Sequence, residues 1–152
     1  MKGRCTCGAV SYRLTSAPLF THCCHCRWCQ RETGTAFALN AMIETDRVEV
    51  LDGQPQAVTI PTQSGKGQTV FRCPACRVAL WSHYAGAGEK ICFVRVGTLE
   101  DPDAVPPDIH IFTESRQPWV ILHENVPARP RFYRRDEFWP AESLARWRAL
   151  HD

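Results

Sequence analysis

The sequence predicts a mainly β fold of short antiparallel strands with a short C-terminal helix, and three observations carry that prediction. Short runs with apolar residues at every second place recur along the chain, divided by Gly, Pro, Asp and Ser turn signals. Helical spacing is confined to Arg27–Thr33 and to the tail after Pro140. Nine cysteines fall mostly in three clusters, Cys5 with Cys7, Cys23 to Cys29, and Cys73 with Cys76, which suits many short strands pinned by cross-links.

A chain of 152 residues is long enough for one core and no more. Its 22% charged residues and net charge of +2 offer no footing for nucleic acid or a membrane surface. The opening residues, Met1 to Cys5, contain no apolar run that could act as a signal or span, so a cytoplasmic location is expected. In such a reduced compartment an odd number of closely spaced cysteines points to metal rather than to disulfides. A redox-active dithiol would use one pair and leave seven thiols unexplained.

The elements follow in order. Gly3–Leu14 reads as one strand, with Val10, Tyr12 and Leu14 alternating and Cys5 and Cys7 on a common face. A turn at Ser16–Pro18 leads to a strand over Leu19–Cys23, and Gly34 ends the helical turns of Arg27–Thr33. Further strands are expected over Ala36–Ile43, Arg47–Leu51, Ala57–Pro61, Gln68–Cys73, Val78–Tyr84, Lys90–Gly97, Asp108–Phe112 and Trp119–Leu122. In the tail, Pro140 suits the first turn of a helix whose Leu144, Trp147 and Leu150 share one side. We divide the chain into a zinc-binding β domain, residues 1–125, and an extension, 126–152, packed on it.

Cys73-Pro74-Ala75-Cys76 is a tight knuckle whose two thiolates converge, and the Cys5/Cys7 pair is its natural partner in a closed four-cysteine zinc site. Cys24-His25-Cys26-Arg27-Trp28-Cys29 then holds three thiols in one loop, enough for a zinc site with a fourth position open to chemistry. His25 and Cys23 are expected to point away from that ion, and Cys92, within Ile91-Cys92-Phe93-Val94, reads as a buried thiol. Arg129 to Arg135 mixes four arginines with Phe132 and Tyr133; in a nearly neutral chain this is a solvated edge before it is a nucleic-acid surface.

Taken together, Cys5-x-Cys7-Gly8-x-Val10-x-Tyr12, Cys24-His25-Cys26-x-x-Cys29-Gln30-Arg31-x-x-Gly34-Thr35-Ala36-Phe37, Cys73-Pro74-x-Cys76 and the later His110-Ile111-Phe112 and Pro118-Trp119 resemble the glutathione-dependent formaldehyde-activating enzyme family, also called the centromere protein V family. The resemblance covers residues 3 to 122 and implies a β-tent fold. It implies two zinc ions, one on Cys5, Cys7, Cys73 and Cys76 and a second on Cys24, Cys26 and Cys29. It also implies addition of the glutathione thiol to formaldehyde, a carbon–sulfur lyase-type reaction, with a small thiol and a small aldehyde as partners. Arg77 departs from the family, which usually has Gly after the knuckle, and puts the local turn in question.

A glutathione-like ligand needs cationic or N–H partners for its carboxylates. Arg27, Arg31 and Lys66 are the nearest in sequence, and Trp28, Trp81 and Trp119 are candidates to wall a pocket. A non-enzymatic zinc module that binds protein or nucleic acid is the competing reading.

Overall fold

The computed structural model describes residues 1–151. In chain order the elements are β1 (Lys2–Arg4), β2 (Ser11–Leu14), β3 (Phe20–Cys24), α1 (Arg27–Thr33), β4 (Ala38–Glu44), β5 (Val48–Asp52), β6 (Gln56–Ile60), β7 (Gln68–Arg72), β8 (Ala79–Tyr84), β9 (Ile91–Arg95), β10 (Ile109–Ile111), α2 (Arg135–Phe138) and α3 (Ala141–Ala149), with short 3₁₀ turns between some of them. The fold is mainly β, as expected. Strands β1, β2 and β5 form one sheet, and the other seven form a second in the order β10-β3-β4-β9-β8-β7-β6. All pairings are antiparallel except β10 with β3, where Ile109 lies opposite His22 and Ile111 opposite Cys24.

The centre of the large sheet is covered on both faces, which explains why β3, β4 and β9 read as almost unbroken apolar runs. Alternation then divides each strand between two cores. Ala41 and Ile43 of β4 and Cys92 and Val94 of β9 face a core shared with Val10, Tyr12 and Leu14 of the small sheet. Ala38 and Met42, with Ile91 and Phe93, face a second core closed by Trp139 and, at its edge, by Leu144, Trp147 and Leu150 of the C-terminal segment. Tyr12 reaches across the first core to Thr98, Oη to Oγ1 at 2.6 Å. It lies so close to the first strand that a Cβ on Gly3 would sit 2.3 Å from its ring, so only glycine fits there.

Two expected strands are corrected. Gly3–Leu14 is a hairpin, because Gly8 at φ 78° and the hydrogen bonds from Gly8 N to the Cys5 carbonyl (3.2 Å) and from Cys5 N to the Val10 carbonyl (3.0 Å) reverse the chain at the cysteines. Cys5 and Cys7 therefore sit in a turn, not along a strand edge. Trp119–Leu122 forms no strand: a turn closes from Val120 N to the Gln117 carbonyl at 3.1 Å, and while Val120 is buried, Trp119 and Ile121 are exposed, Ile121 at 92%.

Candidate functional site

The hairpin turn and the knuckle between β7 and β8 bring the sulfurs of Cys5, Cys7, Cys73 and Cys76 within 4.8 Å of one another. Cys5 and Cys7 are 3.5 Å apart, and Cys7 and Cys73 3.7 Å. A tetrahedral ion with Zn–S bonds of about 2.3 Å requires sulfur separations of about 3.8 Å, so this donor set fits zinc. The Val10 amide donates to the Cys5 sulfur at 3.3 Å, the kind of bond that steadies a thiolate. Arg77, which lacks the freedom of the family's usual Gly, nevertheless takes the left-handed conformation at φ 65°, and its amide donates to the Cys73 carbonyl at 3.0 Å. The knuckle turn is thus kept, and the Arg77 side chain is tethered to Gln56 Oε1 at 2.6 Å.

Cys24, Cys26 and Cys29 form a second group, again within 4.8 Å of one another. Cys24 ends β3, Cys26 caps α1, and Cys29 lies in the helix's first turn, where its amide donates to the Cys26 sulfur at 3.3 Å. The loop is pinned from below. Gln30 Nε2 and Ser115 Oγ both donate to the His25 carbonyl, at 2.8 and 3.0 Å, and the His25 amide donates to the Ile111 carbonyl at 2.9 Å. Hydrogen bonds from Cys24 and Cys29, helped by the amides of Cys29 and Trp28, draw the Cys26 thiol far below the thiol range despite burial, while the same proton sharing pushes Cys24 up. The arrangement favours one thiolate among thiols, a donor set ready for a soft cation.

These sulfurs line a cavity of about 380 Å³. Strand register explains its floor, since cross-strand partners share a face: His22 pairs with Asn40, and Asn40 with Arg95, in one row across β3, β4 and β9. Arg95 is buried with its guanidinium donating to Asn40 Oδ1. Burial, and then the positive charge of Arg135, hold His22 down to about 3, so it is neutral. Tyr84 faces the thiols with its hydroxyl 3.9 Å from the Cys29 sulfur. Burial above all, and then the charge of Cys29, push its phenol well above the usual range, so it keeps its proton. Met42, Phe93 and Ile111 add apolar wall, and Phe132, Arg135 and Trp147 of the C-terminal segment roof the space. Phe112, also in the lining, sits at φ 55°, a strained backbone for an aromatic residue.

The sequence-nominated contacts divide. Trp28 lines the thiol cavity, whereas Arg27, Arg31 and Trp119 line a separate, more open cleft of about 560 Å³ along the outer side of α1. There Arg27 Nη1 donates to Gln30 Oε1 at 2.9 Å and Arg31 lies 6.0 Å from the Trp28 ring centroid. The structure therefore does not bring the two arginines to the thiol cavity, because they sit on the turns of α1 that face away from it. Trp81 packs in the first core, stacked on Phe71 and edge-on to Tyr12. Lys66 is exposed in the β6–β7 turn, whose Thr62, Gln63, Ser64 and Gly67 border the cavity.

Cys23 and His25 point to the opposite face from Cys24. They meet His110 of β10, with His25 Nε2 3.6 Å from the Cys23 sulfur and 3.0 Å from His110 Nδ1. Cys92 is buried apart from all three groups, beside His83 at 3.1 Å. The arginine-rich stretch is largely occupied within the fold: Arg134 pairs with Asp136 at 2.7 Å, Arg131 with Glu114 at 3.4 Å, and Arg129 stacks over Phe138. Tyr84, Asn40, Arg95, Arg135 and Trp147 escaped sequence reasoning, since nothing near the cysteine motifs points to strands and helices that meet them only in three dimensions. No helix among the described residues is long and apolar enough to cross a membrane.

Comparison with known proteins adds three findings. The sequence profile described as glutathione-dependent formaldehyde-activating enzyme matches residues 1–115. A protein of Halomonas elongata, provisionally named as such an enzyme, is 25% identical over 154 aligned residues, covering 98% of this chain and 94% of its own length. A crystal structure of a Rhodobacter sphaeroides protein, 22% identical, superposes with a TM-score of 0.51 over 66% of this chain and 88% of that one, a likeness of fold alone.

Proposed function

The chain belongs to the glutathione-dependent formaldehyde-activating enzyme family, and from that premise we propose that it is a carbon–sulfur lyase-type enzyme which reversibly adds a small thiol, glutathione or a relative, to formaldehyde or another small aldehyde. The observation that carries the reading is the convergence of Cys24, Cys26 and Cys29 at one end of a cavity sized for a small ligand. Cys5, Cys7, Cys73 and Cys76 would hold a structural zinc, and Cys24, Cys26 and Cys29 a second. When bound there, zinc supplies a soft Lewis acid suited to sulfur.

In the forward direction a sulfur–carbon bond forms, the carbonyl π bond opens, and the thiol proton ends on the new hydroxyl oxygen. No electrons are gained or lost. The chain's own residues supply position and a dry environment. Tyr84, which keeps its proton, donates a hydrogen bond to the aldehyde oxygen as charge develops on it. Asn40, held by Arg95, offers an amide from the floor, and the apolar wall of Met42, Phe93 and Ile111 excludes water that would hydrate the aldehyde.

The test has two arms. Protein purified without oxygen should contain two zinc ions per chain. Exchange NMR of glutathione with formaldehyde should show adduct formation faster than the uncatalysed background. If no thiol and aldehyde in a panel is accelerated and no cysteine-loop resonance shifts, the enzyme reading is wrong.

A further inference from the structure

Arg135 is the one cationic side chain in the lining of the thiol cavity, and no Asp or Glu lines it. Its guanidinium lies 3.8 Å from the Trp147 ring centroid and 5.0 Å from that of Trp139. Among the described residues it has no ion pair and makes no side-chain hydrogen bond. The local sequence explains why. The adjacent acids Asp136 and Glu137 are taken by Arg134, at 2.7 and 3.5 Å, and Arg134 points to solvent. Arg135 is instead turned inward on two indoles set edge-to-face, half-buried, with no protein acceptor for its fork of N–H donors. A half-buried guanidinium whose N–H donors have no protein acceptor is well suited to receive a carboxylate.

We propose that Arg135 and the apolar roof around it select the thiol substrate as a monocarboxylate: an aliphatic or aryl thiol whose single carboxylate rests on Arg135 while its sulfur reaches Cys24, Cys26 and Cys29. The choice between classes follows from charge. Glutathione carries two carboxylates and an ammonium, and the cavity offers one guanidinium and no carboxylate, so its second carboxylate finds no second cation there and its ammonium no carboxylate. A thiol with one carboxylate on an apolar body matches Met42, Phe93, Ile111, Phe132 and Trp147 along its length. Phe132, Arg135 and Trp147 all lie beyond residue 115, where the match to the family profile ends, so this selectivity belongs to the chain's own C-terminal segment. The proposal rests on the reading that the substrate sulfur docks at the three cysteines; the bond made and broken is unchanged.

The probes are 6-mercaptohexanoate and its neutral amide, titrated into the full-length zinc-loaded protein while tryptophan fluorescence and heat of binding are followed. The acid should bind about 10- to 100-fold more tightly than the amide, the range for a charge-assisted hydrogen bond at a shielded site. It should also bind more tightly than glutathione. Arg135→Gln should bring the acid-to-amide ratio to about unity, Arg135→Lys should keep part of it, and Arg134→Gln should leave it unchanged. Equal binding of acid and amide by the unmodified protein overturns the proposal, as does a preference that survives Arg135→Gln. If Arg135→Gln does not fold, the acid-to-amide and acid-to-glutathione ratios of the unmodified protein decide alone. Formaldehyde exchange measured on the same samples separates the two ideas. Acid preference without acceleration keeps the anion site and rejects the enzyme reading; acceleration without acid preference does the reverse.

Discussion

The two larger thiol groups are built from the same side chain at similar spacing, yet they sit in opposite settings. The four-cysteine group joins two turns, in which Cys7 and Cys73 stand 66 residues apart in sequence, and the backbone hydrogen bonds of each turn stay within that turn. With zinc bound it would tether the small sheet to the large one, and each thiol has its counterparts within the group. The three-cysteine group lies on a single loop, is pinned by Gln30 and Ser115, and opens on a cavity. The lesson is that the number of thiols matters less than what surrounds them: a cross-link needs two distant elements, whereas a reactive centre needs one rigid loop and space beside it.

Substitutions can break that contrast, and we order them by expected effect. Cys73→Ala should remove the tie between the sheets and cost on the order of 5 kcal/mol, read as loss of the cooperative thermal transition by circular dichroism. An unchanged melting temperature would show that the group is no cross-link. Cys26→Ala should lower thiol–aldehyde exchange at least about 100-fold and release one zinc while stability changes by less than about 1 kcal/mol. Collapse of the fold in this variant would erase the distinction between the two groups.

Glu44 tests the roof of the cavity. It is buried at the end of β4 and bound by Arg146 of α3, at 2.8 and 2.5 Å. Burial alone would raise its pKa, but the hydrogen bonds and charge of Arg146, with Arg47, hold it below the usual carboxylate range. The stabilisation is therefore present in full above the unfolded-state carboxylate pKa and fades as pH falls through the lower folded value. Glu44→Gln should loosen α3 by about 2 kcal/mol at neutral pH, seen as faster amide exchange in α3 with β1 and β2 unaffected. Equal loosening of β1 and β2 would mean that roof and cross-link are one unit. Tyr84→Phe should slow exchange about tenfold with no loss of metal, the expected cost of one neutral hydrogen bond. The smallest effect belongs to Arg77→Gly, which relieves the left-handed strain and should stabilise the knuckle by about 1 kcal/mol in denaturant unfolding.

Much of this was legible before any coordinates. Cys5, Cys7, Cys73 and Cys76 could be grouped because thiol spacing is a local signal with few chemical explanations. Cys23 and His25 could be set apart from Cys24 because extended backbone alternates. The hairpin at Gly8 was missed because Val10, Tyr12 and Leu14 alternate so regularly that the apolar pattern hid the turn. Trp119–Leu122 failed for another reason: the turn at Gln117–Val120 buries Val120 alone and leaves Trp119 and Ile121 exposed. Arg27 and Arg31 stand next to the cysteines in sequence, but the helical period carries them around α1 to another cleft. Arg135, more than a hundred residues from Cys24, reaches the cavity through the packing of the tail, which no local pattern records.

The parallel pairing of β10 with β3 fixes an order of events during synthesis. The four thiols of the first group are all present once residue 76 has left the ribosome, before β8 and β9 complete the core beside them. The loop with Cys24, Cys26 and Cys29 stays without the second neighbour of its strand until Ile109 to Ile111 emerge, and without its roof until Trp147 does. The cavity is completed later than the four-cysteine group, and its three thiols are sheltered only once Trp147 has joined them.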